Sequence, residues 1–366
     1  MGVRIPPGTR VFGIGGAIYF AKNMTIERDA KFMCAALAEA KEALGRTSPN
    51  PAVGAVLVID NRIVAKGHHR EAGRAHAEIE CLRDFGAPVP ARATLYVTLE
   101  PCSTAGRTAP CTEAIIRAGL KNVVVGARDL NPRHCGRGIV KLQNAGVRVR
   151  EGILADECTR LNEAFNKWIV TGRPFVIAKC GMSLDGRLTR PPGEGRWITG
   201  RAARRDRHQL RARVDAVLVG AETVRADNPR LTVRGVRGAR QPWRVVLTRS
   251  GRLPRQSHLF SDSFAGRTLV YRRRDLSFVL KDLGKRAITS LLIEGGGEVL
   301  GQALDRRLID KVQIYLGRIV TGGPVVAFPG RGAPKTADAL WLRDVEYQRI
   351  AQTVSITGYP ELLRRE

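Results

Sequence analysis

Apolar and polar positions along this chain switch repeatedly between two rhythms, one helical and one extended. Glu27–Leu44 carries Phe32, Ala35, Ala36, Ala40 and Ala43 at helical spacing, and Gly45 ends the run. Ala52–Ile59 is nearly unbroken apolar sequence, which predicts a buried strand. Asp60-Asn61 turns it into a second strand, Ile63–Gly67. A helix is expected from His76, a strand at Ala93–Leu99, a helix at Cys111–Ala118 and a strand at Asn122–Gly126. Gly136–Ala145 reads as a helix, Val147–Gly152 as a strand and Ala155–Val170 as one further helix, closed by Thr171-Gly172-Arg173-Pro174. The second half restarts with strand Phe175–Lys179 and helix Arg201–Arg213. Strands are expected at Ala216–Gly220, Trp243–Thr248, Thr268–Tyr271, Thr289–Ile293 and Lys311–Leu316, with a helix at Val299–Leu304.

The alternation predicts α/β architecture, with helices on both faces of the first sheet. Residues 1–23 have no clear periodicity and are expected to be a poorly ordered extension. The domains are then 24–171 and 172–366, consistent with the usual size of domains in a chain of 366 residues.

Composition adds little to the fold and something to the partners. Lys and Arg total 61 against 34 Asp and Glu, for a formal charge of +27. Such a balance suits nucleic acid or an acidic substrate. Here the arginines are scattered along the chain, which favours a solvated basic surface. The aromatic fraction of 5% also argues against stacking platforms for single strands. No stretch reaches the roughly 18–20 apolar residues that span a bilayer. Seven cysteines form no disulfide framework, which suits a reducing cytoplasm.

The chemistry concentrates in His76-Ala77-Glu78 and, downstream, Pro101-Cys102 and Cys111. An H-x-E followed by P-C and a second cysteine is the signature of zinc deaminases. His76, Cys102 and Cys111 would supply three ligands and leave the fourth position to a water, whose pKa the metal lowers. Glu78 would move the proton from that water to the leaving ammonia. Pro101 would place Cys102 at the mouth of a helix, whose N–H groups favour the thiolate. Taken singly, each residue has a bland reading as a packing group; the ordered set does not. In the second half, Gly295, Gly296 and Gly297 stand between a strand and a helix and would let a phosphate approach backbone N–H groups, though such a turn also serves as a plain connection. Arg211, Arg213 and Arg234 suit a phosphate clamp, or a solvated surface.

Together these stretches resemble the bifunctional riboflavin-biosynthesis deaminase-reductase family. The resemblance is carried by Thr47-Ser48-Pro49-Asn50-Pro51, Gly67-His68, His76-Ala77-Glu78, Glu100-Pro101-Cys102 and Gly106-Arg107-Thr108 with Pro110-Cys111. In the second half it is carried by Lys179, Ser183-Leu184-Asp185-Gly186, Trp197-Ile198-Thr199, Asp227-Asn228-Pro229, Leu231-Thr232-Val233-Arg234 and Glu294-Gly295-Gly296.

The resemblance implies a cytidine-deaminase-like α/β/α sandwich followed by a dihydrofolate-reductase-like α/β domain. It implies hydrolytic deamination of 2,5-diamino-6-ribosylamino-4(3H)-pyrimidinone 5′-phosphate, then reduction of its ribosyl group by NADPH. One Zn2+ per chain would be held by His76, Cys102 and Cys111, with Glu78 moving the proton. Asn50, His68, Arg107, Asp129 and Asn131 match positions that line the pyrimidine-phosphate pocket. Gly181, Trp197, Thr223, Asp227 and the turn of Gly296, Gly297, Glu298, Val299, Leu300, Gly301 and Gln302 match NADPH contacts. Gly195, Arg211, Leu231, Arg234 and Glu294 match substrate contacts. Lys179, Asp227 and Glu294 are the residues expected beside the reacting sugar.

This chain departs from the family pattern at Thr104-Ala105, Gly195 and Thr248-Arg249. The expected protein is a cytoplasmic homo-oligomer acting on a small pyrimidine ribosyl phosphate, with no nucleic-acid or membrane partner. The competing reading is a zinc deaminase acting on RNA with a basic second domain as its grip. The eight-residue gap between the cysteines and the reductase-like half oppose it.

Overall fold

The computed structural model describes residues 14–104, 109–191, 194 and 197–361, with side chains from residue 25 onward. Two compact units emerge, one running up to Ala43 and over Ala52–Leu161, the other comprising Leu44–Pro51 and the chain from Asn162. The first contains α1 (Ile14–Lys41), β1 (Gly54–Ile59), β2 (Arg62–His68), α2 (Ala77–Phe85), β3 (Thr94–Leu99), α3 (Cys111–Arg117), β4 (Asn122–Ala127), α4 (Arg137–Asn144), β5 (Arg148–Glu151) and α5 (Ala155–Leu161).

Its sheet runs β2-β1-β3-β4-β5. β1 is antiparallel to β2 and β3, and the remaining pairs are parallel. Successive side chains of a strand point to opposite faces, and both faces are covered. Leu57, Leu95, Val97 and Val123 pack with Ala77 and Cys81 of α2, Ile115 of α3 and Leu142 of α4. Val56, Val58, Tyr96 and Val124 pack on the other side with Phe32 and Met33 of α1 and Cys158 of α5. This is the expected α/β/α sandwich.

The second unit contains α6 (Glu163–Thr171), β6 (Phe175–Met182), α7 (Arg201–Arg213), β7 (Ala216–Gly220), α8 (Ala221–Asp227), β8 (Trp243–Thr248), α9 (His258–Ser261), β9 (Thr268–Arg272), α10 (Leu276–Lys285), β10 (Ser290–Ile293), α11 (Gly297–Asp305), β11 (Lys311–Leu316), β12 (Leu342–Ile350) and β13 (Thr353–Pro360). Eight strands lie in the order β12-β13-β11-β6-β10-β7-β8-β9. The run from β11 to β9 is parallel and the hairpin β12–β13 joins it antiparallel. Parallel strands buried on both faces explain the unbroken apolar runs at β7 and β10. Val176, Leu218 and Leu291 face α10 and α11, while Ile177, Val217 and Leu292 face the other way.

Three expectations need correction. Residues 14–23 are helical, because α1 starts at Ile14 rather than near Glu27; residues 1–13 lie outside the described residues. The single helix expected over Ala155–Val170 is two, interrupted at buried Asn162. The unit boundary therefore falls at 161/162 and not at 171/172. Long-range contacts decide this: Lys167 pairs with Asp310, Trp168 Nε1 donates to Gly284 O at 2.9 Å, and Lys311 bonds Glu163 at 3.0 Å. Leu44–Pro51 likewise groups with the second unit, where Ser48 Oγ donates to Asp215 at 2.7 Å.

Candidate functional site

The first site gathers at the amino ends of α2 and α3. His76 is the extended residue before α2, at φ −75° and ψ 163°. Cys111 is the first residue of α3, preceded by Pro110 at φ −58°. Cys102 lies in the loop after β3, so Cys111, and not Cys102, opens a helix. Among the described residues no helix follows Pro101 before Cys111, and it is Pro110 whose fixed φ suits a helix start. Cys102 still receives a helix amide, since Cys111 N–H donates to its sulfur at 3.3 Å.

His76 Nδ1 lies 3.2 Å from Cys111 Sγ and 3.6 Å from Cys102 Sγ. All three ligand atoms fall within 4.8 Å of one another. Tetrahedral zinc with ordinary bond lengths separates nitrogen and sulfur ligands by about 3.6 Å, so donor set and spacing fit that metal. Hydrogen bonding from Cys111 and His76 holds the Cys102 thiol down at about 4, while the same pairing and burial push Cys111 up. A divalent cation binds such thiols as thiolates and displaces their protons. Glu78, in the first turn of α2, is 3% exposed. Burial pushes its carboxyl up to about 7, against the pull of His76.

One residue of the motif, given no role by the sequence, supports the site. Glu100 is 4% exposed and its carboxylate accepts N–H groups from Asp129 (3.2 Å), Gly136 (2.9 Å), Gly138 (2.8 Å) and Ile139 (3.4 Å). It ties the loop holding Cys102 to the turn holding Asp129 and Asn131. Gly138 must be glycine for this: a Cβ there would stand 2.0 Å from Pro101 O. The legible signal was an acid between an apolar strand and a proline, a poor place for a solvated charge.

Of the expected pocket residues, Asp129 is buried with its carboxyl raised by burial, and it accepts Asn131 N–H at 2.8 Å. His68 Nδ1 is 3.3 Å from Glu39. Asn50 sits in the segment that groups with the second unit. Arg107 lies outside the described residues, as does Ala105; Thr104 Oγ1 meets His134 Nδ1 at 3.3 Å.

The second unit buries a charged network where β6, α7 and the turn after β10 meet. Glu294 forms a two-point pair with Arg211, through Nε and, at 3.0 Å, Nη2. Lys179 Nζ is 3.9 Å from Glu294 and 5.7 Å from the Tyr315 ring centre. Tyr315 in turn donates to Asp206 at 2.5 Å. Burial lowers the Lys179 pKa, against the attraction of Glu294. Burial would raise Glu294, but Arg211 and Lys179 bring it down to about 2. Lys179 and Arg211 thus both lie against Glu294. Asp227 is exposed at the last residue of α8. Leu231 is 2% exposed at φ 53°, in the core, and Arg234 is exposed. Gly195 lies outside the described residues.

A dinucleotide would need amides and a close backbone, and the start of α11 offers both. Gly296 is its cap, and the first-turn amides of Gly297 and Glu298 precede the Val299 N–H that closes onto Gly296 O. Gly295 has φ 119°, a region reserved for glycine, and a Cβ on Gly296 would approach Thr223 Oγ1 at 3.2 Å. This cradle fits a phosphate. Val299, Leu300 and Gly301 are buried, so they present no side chain, and Gln302 is half-buried. Gly181 lies in β6, and Trp197 is 45% exposed. No helix among the described residues is long and apolar enough to cross a membrane.

Residues 26–127 match the cytidine and deoxycytidylate deaminase zinc-binding region, and residues 174–356 match the RibD C-terminal domain. The chain is 39% identical over 355 residues to the riboflavin biosynthesis protein RibD of Synechocystis, covering 90% of this chain and 96% of that one. Against the Escherichia coli RibD it is 35% identical over 364 residues, 90% and 98% of the two chains. The solved Acinetobacter baumannii RibD superposes with a TM-score of 0.84 at 36% identity, over 92% of this chain and 99% of that chain. A Thermotoga maritima structure titled diaminohydroxyphosphoribosylaminopyrimidine deaminase/5-amino-6-(5-phosphoribosylamino)uracil reductase superposes at 0.82 with 34% identity, over 92% and 100%.

Proposed function

The chain belongs to the RibD family of riboflavin-biosynthesis proteins, deaminase and reductase in one polypeptide, and on that premise we propose how its two sites share the work. The first unit removes the C2 amino group of 2,5-diamino-6-ribosylamino-4(3H)-pyrimidinone 5′-phosphate by hydrolysis. The second reduces the ribosyl group to ribityl, giving 5-amino-6-ribitylaminouracil 5′-phosphate. The observation that carries the reading is the pairing, in one chain, of a His76–Cys102–Cys111 cluster beside buried Glu78 with a buried Lys179–Glu294 network and a glycine cradle. The same reading makes the chain a cytoplasmic homo-oligomer that takes a small molecule and no nucleic acid.

His76, Cys102 and Cys111 would hold one zinc ion, which when bound acidifies water. Glu78 Oε takes a proton from the water and returns it to the departing amino nitrogen; a carboxyl near neutrality is suited to both transfers. In the reductase, the cradle at the start of α11 would hold NADPH, which when bound would supply the hydride for C1′. Lys179 Nζ donates a proton to the sugar oxygen released as the ring opens. Burial makes this ammonium a better acid, and Glu294 keeps it charged and in place. Arg211 fixes Glu294.

Two measurements test this. With the diaminopyrimidinone substrate, ammonia appears without NADPH, and NADPH is consumed only after ammonia release. NADPH oxidation without prior deamination would overturn the order. For the metal, the Cys102→Ser, Cys111→Ser double variant is expected to lose zinc, from one equivalent per chain to near none by metal analysis. Full retention would reject the ligand set.

A further inference from the structure

Resting on the reading of the α11 start as the nucleotide cradle, we propose that Asp185 is a positioning residue for the nicotinamide cofactor: it clasps the segment 319–331 down along α11 and so fixes the amides that receive a phosphate of the nucleotide. Asp185 belongs to Ser183-Leu184-Asp185-Gly186, a stretch that the deaminase and reductase chemistry leaves without a task. It stands in the turn just past β6, the strand that carries Lys179. Its carboxylate takes three donors. Oδ1 accepts the Ser183 hydroxyl at 2.5 Å and Thr321 N–H at 3.2 Å, and Oδ2 accepts Gly322 N–H at 2.8 Å. An ionised carboxylate only accepts, so its two oxygens suit two successive amides. Ser183 first, and then the Gly322 and Thr321 amides, hold the carboxyl down at about 2.

Around this clasp, backbone bonds sew the turn to the segment. Leu184 N–H donates to Ile319 O at 2.8 Å, Leu188 N–H to Val325 O at 2.9 Å and Ala327 N–H to Gly186 O at 3.0 Å, and Arg187 bridges Val326. Beyond the bridge the segment runs as a strap along one face of the helix. Gly297, Gly301 and Asp305 stand at i, i+4 and i+8 of α11. A Cβ on Gly297 would stand 2.3 Å from Val326 O, and one on Gly301 would stand 1.5 Å from Pro329 O. Backbone therefore lies directly on backbone. Asp305 closes the far end by accepting Arg331 N–H at 3.2 Å.

Gly297 has two duties. It is a floor for the strap and it supplies a first-turn amide of the cradle. The seating of the strap therefore bears on where that amide points. Ala327 is buried in the same core as Val299 and Leu300, which anchors the middle of the strap by itself. The clasp acts at the start of the strap, where Gly322 and Gly323 have no side chain to pack. The Asp185 side chain is 25% exposed, so replacing it opens no cavity in the core. What goes is the fixed seat of the strap, and with it the set direction of the Gly297 and Glu298 N–H groups. Donors already in place bind an anion without the cost of ordering them.

The test titrates NADPH against the full chain by fluorescence and, in parallel, follows reduction of the deaminated substrate. Asp185→Asn sets an amide nitrogen, itself a donor, against a backbone N–H. It is expected to raise the NADPH Kd and KM roughly tenfold, the scale of one lost charge-assisted hydrogen bond. At saturating NADPH, kcat and the substrate KM should stay within about twofold, a split that general loosening of the unit does not give. Asp185→Glu, which returns a carboxylate on a longer arm, should recover part of the affinity, and it carries the same titration if the asparagine variant does not fold. Gly301→Ala pushes on the strap from the helix side and should also weaken NADPH. Adding Asp185→Asn to it should then cost little more, because both act through one strap. The inference is overturned if Asp185→Asn and Asp185→Glu both bind NADPH as the unaltered chain does, if kcat and both affinities fall together, or if the Asp185 and Gly301 effects multiply. No NADPH binding by the unaltered chain would instead reject the cradle reading itself.

Discussion

Glu78→Gln releases ammonia roughly 10²–10⁴-fold more slowly than the unaltered chain, the range expected when a positioned acid–base group is removed. The substitution is nearly isosteric and the side chain is buried in the first turn of α2, so packing is kept. What disappears is an oxygen that can take a proton and give it back. Zinc content should be unchanged, since the ligands are His76, Cys102 and Cys111, and the reductase should still accept substrate supplied already deaminated. Near-normal ammonia release would assign the proton transfer elsewhere. A stability readout accompanies the kinetic one. Burial raises the Glu78 carboxyl to about 7. A group raised on folding contributes stability below its unfolded pKa, and that contribution is lost as pH rises through the folded value. With the metal stripped, the glutamine variant should therefore melt higher than the parent at pH 8, with the difference shrinking towards pH 4. Such a trade is expected where function holds a charge in a dry place.

Glu294→Gln should unsettle the second unit as a whole. Its carboxylate answers Arg211 and Lys179 inside the protein, and all three side chains are at most 10% exposed. Removing one member of a buried pair leaves unmatched charge and costs about 3–5 kcal/mol. For a unit of this size that is on the order of 10 °C in Tm. Because Arg211 and Lys179 bring Glu294 down to about 2, its contribution is present above the unfolded value near 4.5 and is lost as pH falls towards 2. Thermal unfolding at pH 7 should thus separate parent and variant widely, and at pH 3 less. Equal melting at pH 7 would show the network to be energetically neutral. Reduction should fail in the variant at any pH, since Lys179 loses the group that holds it.

The residues that make the first site were legible because they sit close in sequence and their chemistry admits few alternatives. The parallel core was legible for the same kind of reason, since runs such as Ala216–Gly220 have no solvated face to interrupt them. What failed was ownership. Glu163–Thr171 continues the helical rhythm of α5, and Gly284, Asp310, Lys311 and Tyr359, more than a hundred residues on, draw it into the other unit. The hairpin β12–β13 went unread because β12 is polar at most positions and carries no alternation. α10 was missed despite a fair signal. Asp275 caps it by accepting Phe278 N–H at 2.7 Å, and Leu276, Val279, Leu280 and Leu283 are buried at helical spacing.

The polar face of β12 has a consequence for the chain before and after it folds. A wide parallel sheet must end somewhere, and an end strand offers unpaired amides and carbonyls to any neighbour of like kind. This sheet ends in Leu342–Ile350, where Arg343, Asp344, Glu346 and Arg349 are exposed and the pairing with β13 shifts register between Arg343 and Glu346. Charge and irregularity together make a poor template for a second strand. Added to the mutual repulsion of molecules carrying +27, the edge protects crowded, newly made chains from joining sheet to sheet into aggregates.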